Sequence, residues 1–193
     1  MRIALAQHNP MVGDIDGNVA KMAESIDAAA ERGAELVVFP ELSVTGYPPR
    51  DLLRKERFLA DAAAAVDSLA ARCTKTTAVV GTARKNPSAG GRGLQNVAVV
   101  LAGGEVAHVH VKRLLPTYDV FDETRYFEPG EGPAVVEVAG RRVGLSVCED
   151  LWDAAALGRE LYGADPVGEL ADAGAEIVVN PAASPYQQHK AGL

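Results

Sequence analysis

Two regions in the middle of the chain constrain its fold most strongly, because each contains two short apolar runs separated by a two-residue turn. Residues 95–112 read QNVAVVLAGGEVAHVHVK, with the turn at Gly103-Gly104, and residues 134–148 read AVVEVAGRRVGLSVC, with the turn at Ala139-Gly140. Runs of β-branched residues around a tight turn are typical of antiparallel β-hairpins. Both regions therefore predict paired antiparallel strands, which excludes an all-helical fold.

Strands and helices alternate on both sides of the predicted hairpins. Four further apolar runs predict strands, at residues 2–7, 35–41, 77–84 and 176–180. Apolar side chains at helical spacing predict helices over roughly 17–31, 56–72 and 154–173, the first of them capped by Asp14 or Asp16. With 193 residues, 48% of them hydrophobic, the chain is long and apolar enough for one domain, residues 1–193, around its own core. This order predicts an α/β fold with mixed sheets.

Composition narrows the environment and the partners of the chain. The net charge of −7 argues against a nucleic-acid or anionic-membrane surface, because both require clustered cations. Two cysteines, Cys73 and Cys148, cannot form a disulfide scaffold, which favours the reducing cytoplasm. The N-terminus becomes polar too early for a signal peptide, and no apolar run approaches the roughly 20 residues that a membrane span needs. We therefore expect a cytoplasmic protein that binds neither nucleic acid nor membrane.

Three polar side chains stand at the carboxyl ends of predicted strands, where ligands usually bind in α/β folds. Glu41 ends the strand at 35–41, Lys112 ends the first hairpin and Cys148 ends the second. Strand alternation predicts that Cys148 shares a face with Gly144 and Ser146. The face beside the thiol would then be small and open, as a substrate requires.

Alternation also places four residues of the first hairpin on one face: Val106, His108, His110 and Lys112. The pair His108-x-His110 offers a second interpretation, a zinc site completed by a Glu or a Cys. Two histidines on one strand are more often packing residues, and the sequence has no third ligand at a spacing typical of zinc sites. We therefore expect no bound metal.

A thiol, a carboxylate and an ammonium group form a complete set for acyl transfer. Glu41 can accept the thiol proton as general base, and Cys148 can then attack a carbonyl carbon. Lys112 can stabilise the thiolate and the oxyanion of the tetrahedral intermediate. These three residues therefore predict a cysteine hydrolase or acyl transferase.

The residues directly after the cysteine oppose this hypothesis. Glu149 and Asp150 would raise the pKa of the Cys148 thiol, because neighbouring carboxylates disfavour a thiolate. We expect the positive charge of Lys112 to offset them. The alternative is that Cys148, like Cys73, is a small buried hydrophobe, with Glu41 and Lys112 as solvated rim residues.

Three segments resemble, in the same order, the nitrilase superfamily of carbon–nitrogen hydrolases: FPELSVTGYPPRDLL (39–53), KRLLPTYDVFDETRYFEPG (112–130) and VCEDLWD (147–153). More narrowly, TGYPPRDLL followed by CEDLW resembles the N-terminal glutaminase domain of glutamine-dependent NAD synthetases. The resemblance implies an α-β-β-α sandwich, and it implies a catalytic triad at Glu41, Lys112 and Cys148. It also implies hydrolysis of L-glutamine through a γ-glutamyl thioester, a step that needs no cofactor.

The resemblance implies further partners for the ammonia that this reaction releases. In the whole enzyme, ammonia passes to a C-terminal synthetase domain, which uses ATP and magnesium to amidate deamido-NAD. It also suggests a homo-oligomer. A nitrilase-like domain normally continues for several strands and helices beyond the position of Leu193. We therefore expect a fragment or a truncated product, incomplete at its C-terminus and without the synthetase domain.

Five further site residues are implied only by the resemblance. Glu123 matches an acidic residue that supports the triad, Tyr118 and Phe121 match aromatic residues of the glutamine pocket, and Ser184 resembles a pocket serine. Glu149 is placed to meet the α-amino group of the substrate.

Four of these five residues also have a purely structural interpretation. Glu123 could form a loop salt bridge with Arg113 or Arg125. The two aromatic residues could pack within their loop, and Ser184 could serve a turn beside Pro185. Two rival functions also stay open, a stand-alone amidase for another small amide and a non-catalytic truncated scaffold.

Overall fold

The computed structural model describes residues 1–152 and 162–184. Its first sheet has five strands: β1 (Ile3–Leu5), β2 (Leu36–Val38), β3 (Thr77–Lys85), β4 (Leu94–Ala102) and β5 (Glu105–Val111). The strands lie side by side in the order of the sequence. β1, β2 and β3 are parallel, whereas β4 is antiparallel to both β3 and β5. The first predicted hairpin is therefore confirmed.

Two helices connect the parallel strands and cover one face of this sheet. α1 (Ile15–Glu31) lies between β1 and β2, and α2 (Glu56–Ala70) lies between β2 and β3. Asp14 caps α1, because its side chain accepts a hydrogen bond from the N–H of Gly17. Met22, Ile26 and Leu69 pack against the sheet in one apolar core. Burial of each such side chain contributes about 1.5–3 kcal/mol to folding.

The second sheet packs on the opposite face of the first. Its strands are β6 (Ala134–Val138), β7 (Arg141–Leu145) and β8 (Ile177–Val179), with β6 antiparallel and β8 parallel to β7. The apolar core between the sheets includes Val79 and Val100 from the first and Val143 and Leu145 from the second. α3 (Pro166–Asp172) packs Leu170 close to β7 on the outer face. These layers confirm the expected α-β-β-α sandwich with mixed sheets.

The second hairpin differs from the prediction at its end. The strand was expected to continue to Cys148, but β7 ends at Leu145, and residues Cys148–Leu151 form a 3-10 turn. The prediction that Cys148 shares an open strand face with Gly144 and Ser146 is therefore wrong. Cys148 is only 7% exposed and belongs to the apolar core between the sheets. The cause is local, because the Asp150 side chain accepts a hydrogen bond from the N–H of Val147 and turns the chain.

A β-bulge corrects the prediction for the first hairpin. The register between β4 and β5 shifts at Val100, so that Val100 pairs with His108 and Leu101 pairs with Val106. One residue of β5 is therefore extra, and Val106 lies on the helix side together with Val109. The prediction that Val106 shares a face with Lys112 is wrong, because strict alternation does not survive a bulge.

The loop segments contain short helical turns that the sequence did not predict. Arg50–Arg54 and Glu123–Arg125 each form a 3-10 turn. The helix expected over 154–173 appears in part as α3, while 153–161 lie outside the described residues. Within residues 1–152 and 162–184, no helix is both long and apolar enough to cross a bilayer.

Candidate active site

Glu41 lies in a tight turn that follows β2 and packs against β3. Leu42 adopts a left-handed conformation there, with φ at 48°. The turn approaches β3 so closely that a Cβ atom on Gly81 would lie 2.3 Å from Leu42 N and 2.6 Å from Pro40 O. The N–H of Gly81 donates to Ser43 Oγ at 3.2 Å, which fixes the turn. Glycine at position 81 therefore permits the close approach that places Glu41 in the site.

Lys112 directly follows β5 and is fully buried. Its N–H donates to the carbonyl of Asn96, and its own carbonyl accepts from the N–H of Gly130. The ammonium Nζ donates to Glu41 Oε1 at 2.7 Å and to Glu123 Oε1 at 2.8 Å. Burial opposes the charged form, but the two carboxylates outweigh it and raise the pKa of Lys112 above its ordinary value. Lys112 is therefore a fixed positive charge between two carboxylates.

Asn96 and Tyr47 complete this buried network. Asn96 Nδ2 donates to Glu41 Oε1 at 2.8 Å and to Glu123 Oε2 at 3.4 Å. The Tyr47 hydroxyl donates to Glu123 Oε1 at 3.0 Å. Glu41 Oε1 thus accepts from two side chains, while Glu41 Oε2 accepts the N–H of Ala183 at 3.2 Å. Glu41 Oε2 is therefore the oxygen that is available for proton transfer.

Sequence reasoning missed both Asn96 and Tyr47 as members of the site. A signal existed for Asn96, because an amide within the apolar run of β4 needs a hydrogen-bonding partner once it is buried. Tyr47 lies in a recognisable loop motif, but its position there says nothing about its partner. The pairing of Tyr47 with Glu123 joins positions 76 residues apart.

Cys148 occupies a strained backbone position beside the network. Its φ is 46°, in the left-handed region, and its N–H donates to the carbonyl of Pro181 at 2.9 Å. Burial, followed by the Glu41 carboxylate, raises the pKa of the Cys148 thiol to about 12, although Lys112 lowers it. At neutral pH, Cys148 therefore rests as a neutral thiol under the influence of the Glu41 carboxylate and the Lys112 ammonium group.

The two acids after the cysteine each have their own partners. Glu149 is 3% exposed, and its Oε1 accepts from the hydroxyls of Tyr118 at 2.6 Å and Tyr162 at 2.9 Å. Asp150 is 1% exposed and accepts hydrogen bonds from backbone N–H groups. Lys112 does lower the pKa of the thiol. The rise in the pKa of the thiol comes from burial and from Glu41 rather than from these two acids, and Lys112 offsets it only in part.

Glu123 belongs to the Lys112 network and makes neither of the alternative salt bridges. Arg113 pairs instead with Glu169 at 2.8 Å, and Arg125 lies 3.8 Å from Asp122. Burial, opposed by Lys112 and reinforced by Glu41, raises the pKa of Glu123 to about 6. The Glu123 carboxylate is therefore partly protonated in weakly acidic solution.

A cavity of about 530 Å³ gives access to Glu41. Tyr47, Arg50, Ala183 and the exposed Ser184 contribute to its wall. This volume is within the range of small-molecule sites. The structure thus places Ser184 on the same cavity as Glu41.

The two predicted pocket aromatics pack against each other beside this cavity. The rings of Tyr118 and Phe121 meet edge to face with centroids 5.6 Å apart, and Phe121 also lies 6.4 Å from the ring of Tyr47. Tyr118 in turn donates to Glu149. These contacts connect the cavity wall to Glu149, so both packing and a pocket role are compatible with them.

The predicted histidine pair has a different environment from that of a metal site. His110 is buried with its Nε2 3.6 Å from Asp150 Oδ2, and His108 is half-buried on the same strand. Among the residues that the structure describes, no group of three His, Cys, Asp or Glu side chains could hold a metal ion.

The raised pKa of Glu123 leads to a prediction about stability. Because the folded-state pKa of about 6 exceeds the ordinary 4.5, the folded chain binds this proton more tightly than the unfolded chain. The contribution of Glu123 to stability is therefore greatest below pH ~4.5 and is lost as the pH rises through about 6. The loss amounts to about 2 kcal/mol in the free energy of unfolding.

Denaturant titrations of the wild type and Glu123→Gln across this pH range measure the effect. We expect the stability of the wild type relative to Glu123→Gln to fall as the pH rises. Glu24→Gln, on the exposed surface of α1, controls for the loss of one negative charge. A difference that stays constant with pH would contradict the assignment of this proton to Glu123.

Comparisons with known proteins agree with this architecture. Residues 2–191 match the carbon–nitrogen hydrolase family. The chain is 41% identical over 193 residues to a glutamine-dependent NAD(+) synthetase of Xylella fastidiosa, covering 98% of this chain and 33% of the relative. A relative of the same name from Thermotoga maritima is 38% identical, with 98% and 31% covered. The chain thus spans about a third of the length of these curated relatives.

Solved structures give the same result at the level of the fold. The glutamine-dependent NAD+ synthetase of Acinetobacter baumannii, in complex with ADP, superposes with a TM-score of 0.82 at 33% identity, covering 96% of this chain and 32% of that one. An amidase from Nesterenkonia sp. superposes with a TM-score of 0.77 at 26% identity, covering 99% and 68%. With its sandwich architecture and the family match across nearly its whole length, the chain belongs to the carbon–nitrogen hydrolase family.

Proposed function

We propose that this chain hydrolyses the side-chain amide of L-glutamine, with Glu41, Lys112 and Cys148 as its catalytic residues. The observation that carries the proposal is the convergence of these groups: Glu41 and Lys112 both act on the thiol of Cys148, and Glu41 Oε1 is held by Lys112 and Asn96. The curated relatives named glutamine-dependent NAD(+) synthetase support glutamine as the substrate. The acylation and deacylation steps follow from the positions of these groups.

In the acylation step, the sulfur of Cys148 bonds to the amide carbon while its proton passes to Glu41. The concerted transfer matters because the pKa of the thiol is about 12, so little free thiolate forms at neutral pH. Lys112 stabilises the negative charge that develops on the substrate oxygen. Glu41 then gives its proton to the leaving nitrogen, the carbon–nitrogen bond breaks, and ammonia departs from the γ-glutamyl thioester.

In the deacylation step, water replaces ammonia. Glu41 accepts a proton from the water, whose oxygen bonds to the thioester carbon. The carbon–sulfur bond then breaks, and the proton returns from Glu41 to the sulfur. Glutamate leaves and the neutral thiol is restored, so atoms and charges balance over the cycle. Glu123 and Asn96 hold Lys112 and Glu41 in place throughout.

Glu149 supports the choice of an amino acid as substrate. It is buried, and both tyrosine hydroxyls donate to the same oxygen, Oε1. A carboxylate in this position attracts an ammonium group, such as the α-amino group of glutamine. Ser184, on the wall of the cavity, would contact the rest of the substrate, and Phe121 would support that wall by packing against Tyr47.

We expect Glu149→Gln to lower kcat/KM for L-glutamine by about 100-fold, because a charge-assisted hydrogen bond contributes about 1.5–3 kcal/mol. Glutaric acid monoamide, which lacks the α-amino group, provides the matched substrate. Its kcat/KM should not fall in the variant. Equal losses for both substrates would contradict the role of Glu149 in binding the amino group.

Ammonia release from L-glutamine tests the proposed function directly. The assay compares glutamine with asparagine, propionamide and glutaric acid monoamide at matched concentrations. A preference for glutamine supports the proposal, whereas a preference for another amide supports the stand-alone amidase. The similarity to the Nesterenkonia amidase is the observation that keeps this second function open.

Covalent labelling separates an active site from a catalytically silent scaffold. A chloroketone analogue of L-glutamine should alkylate Cys148, with the sulfur displacing chloride, and should leave the buried Cys73 unmodified. Peptide mass spectrometry locates the label. Failure to label Cys148 in folded protein, together with no ammonia release, would favour the scaffold.

We further propose that the ammonia serves a synthetase domain of a longer protein or complex. The relatives' names and the ADP bound to the Acinetobacter baumannii enzyme support this proposal. Such a domain would use ATP and magnesium to convert deamido-NAD to NAD in the cytoplasm, and the assembly would be a homo-oligomer. Glutamine-dependent NAD formation in a mixture of this chain with the domain, without added ammonia, would test the link.

A further inference from the structure

One buried carboxylate joins the chain segments that carry Lys112 and Cys148. Asp150 Oδ1 accepts hydrogen bonds from the N–H groups of Arg113 at 3.0 Å and Leu114 at 2.8 Å. Its Oδ2 accepts from the N–H of Val147 at 2.9 Å. The two donors on Oδ1 directly follow Lys112, and the donor on Oδ2 directly precedes Cys148. A single side chain therefore joins donors 36 and 37 residues before it in the sequence to a donor only 3 residues before it.

These segments belong to different sheets of the sandwich. Lys112 follows β5 in the first sheet, whereas Cys148 follows β7 in the second. Nothing in the pairing of either sheet sets the distance between these two strand ends. The hydrogen bonds to Asp150 supply such a link, and they also hold the turn in which Cys148 adopts its left-handed conformation.

The environment of Asp150 argues against a direct part in the chemistry. Both of its oxygens accept backbone hydrogen bonds, and it is 1% exposed. His110 Nε2 lies 3.6 Å from Oδ2, beyond a normal hydrogen bond. Asp150 is not among the described residues that line the cavity beside Glu41.

We propose that Asp150 is a positioning residue, which fixes Cys148 relative to Lys112 and Glu41 through its three backbone hydrogen bonds. The inference rests on the proposed function, because it assigns a role within the same reaction. It adds a residue that touches neither substrate nor reacting atoms. The carboxylate is required because it can accept hydrogen bonds on both oxygens at once.

Asp150→Asn tests this role with almost no change in volume. Asparagine has one acceptor oxygen, so its NH2 group must face either Val147 N–H or the N–H pair of Arg113 and Leu114, donor against donor. We expect kcat for ammonia release from L-glutamine to fall about 100-fold, since small displacements of reacting groups have effects of this size. KM should change less than about twofold, because Asp150 is not in contact with the substrate cavity.

A spectroscopic measurement distinguishes positioning from a general loss of structure. Protein labelled with 13C at the cysteine Cβ gives two signals, because the chain has two cysteines. Cys73 lies in the core beneath the helices and serves as an internal reference. In Asp150→Asn, the Cys148 signal should shift while the Cys73 signal stays in place.

Asp165→Asn provides the matched control. Asp165 Oδ1 also accepts a backbone hydrogen bond, from the N–H of Gly168 at 2.9 Å, but it caps α3 at the surface. Asparagine also caps helices well. We therefore expect Asp165→Asn to have the kcat of the wild type, with both cysteine signals at their wild-type positions.

The outcomes separate this proposal from the proposed function. Wild-type kcat and an unshifted Cys148 signal in Asp150→Asn would overturn the positioning role, as would a shift of both cysteine signals. If the wild type releases no ammonia from glutamine, the proposed function fails, while the Cys148 signal still decides the positioning role. If Asp150→Asn does not fold, hydrogen exchange in the wild type decides. The amides of Arg113, Leu114 and Val147 should all be protected, and rapid exchange at Val147 would overturn the proposal.

Discussion

Replacement of Cys148 by alanine should abolish ammonia release from L-glutamine and leave the fold intact. The thiol supplies the bond to the substrate carbon, and the other groups of the site cannot replace a missing nucleophile. We expect kcat to fall by about 10⁴-fold or more, the scale on which enzymes lose activity without their nucleophile. Alanine is smaller and keeps the same backbone, so the free energy of unfolding should change by less than about 1.5 kcal/mol.

Cys73→Ala is the matched control for this variant. Cys73 is also buried, but it lies after α2 and donates to the carbonyl of Leu69. Its replacement should leave kcat unchanged, and ammonia release is measured for both variants alongside thermal unfolding. Cys148→Ala protein that still releases ammonia at the wild-type rate would remove the thiol from the mechanism.

Lys112→Met should affect both activity and stability strongly. The variant keeps the length of the side chain but removes the ammonium group between Glu41 and Glu123. Two buried carboxylates then lose their common partner, and such a loss typically costs about 3–5 kcal/mol in the free energy of unfolding. The activity should fall by at least about 100-fold, because the developing oxyanion loses its main positive charge.

A second substitution separates the two effects of Lys112→Met. The double variant Lys112→Met/Glu123→Gln carries one buried charge fewer, so it should recover about 0.5–3 kcal/mol of stability relative to Lys112→Met alone. It should recover no activity. Chemical denaturation and the ammonia assay measure the two quantities on the same samples.

Lys85→Met provides the control for removal of a lysine from an ion pair. Lys85 pairs with Glu56, but its side chain is 60% exposed, so the pair contributes at most about 1 kcal/mol. Its kcat should equal that of the wild type. If the double variant regains activity together with stability, Lys112 acts only by holding the fold, and its catalytic role is wrong.

Local sequence patterns predicted the strands and helices well where a regular apolar repeat and a simple turn determine the structure, whereas the sandwich was implied by the family resemblance. The turn at Gly103-Gly104 requires positive φ at both positions, which glycine adopts without strain, and β4 and β5 pair around it. Patterns failed where a side-chain hydrogen bond or a bulge interrupts the regular strand. β7 ends before Cys148 because Asp150 turns the chain, and the bulge in β5 reverses the side on which Val106 lies.

In the candidate site, too, some features were predictable from the sequence and others were not. The positions of Glu41, Lys112 and Cys148 at strand ends, combined with the family resemblance, predicted the residues that the structure brings together. Their hydrogen-bonding partners were not predictable, because Asn96 meets Glu41 across 55 residues of sequence. The amide that bridges two carboxylates is a product of tertiary packing. Tyr162, the second partner of Glu149, was missed for the same reason.

The residues of the site come from two different sheets, so a measurement of activity also depends on how these sheets pack together. Glu41 and Lys112 extend from the first sheet and Cys148 from the second, so the reacting groups meet only while the sandwich is closed. Movement of one sheet relative to the other would separate Cys148 from Glu41 without unfolding any strand. The rate of turnover therefore reports on the packing between the two sheets. A change in that packing would lower activity without changing the circular dichroism spectrum, because the spectrum reports on secondary structure.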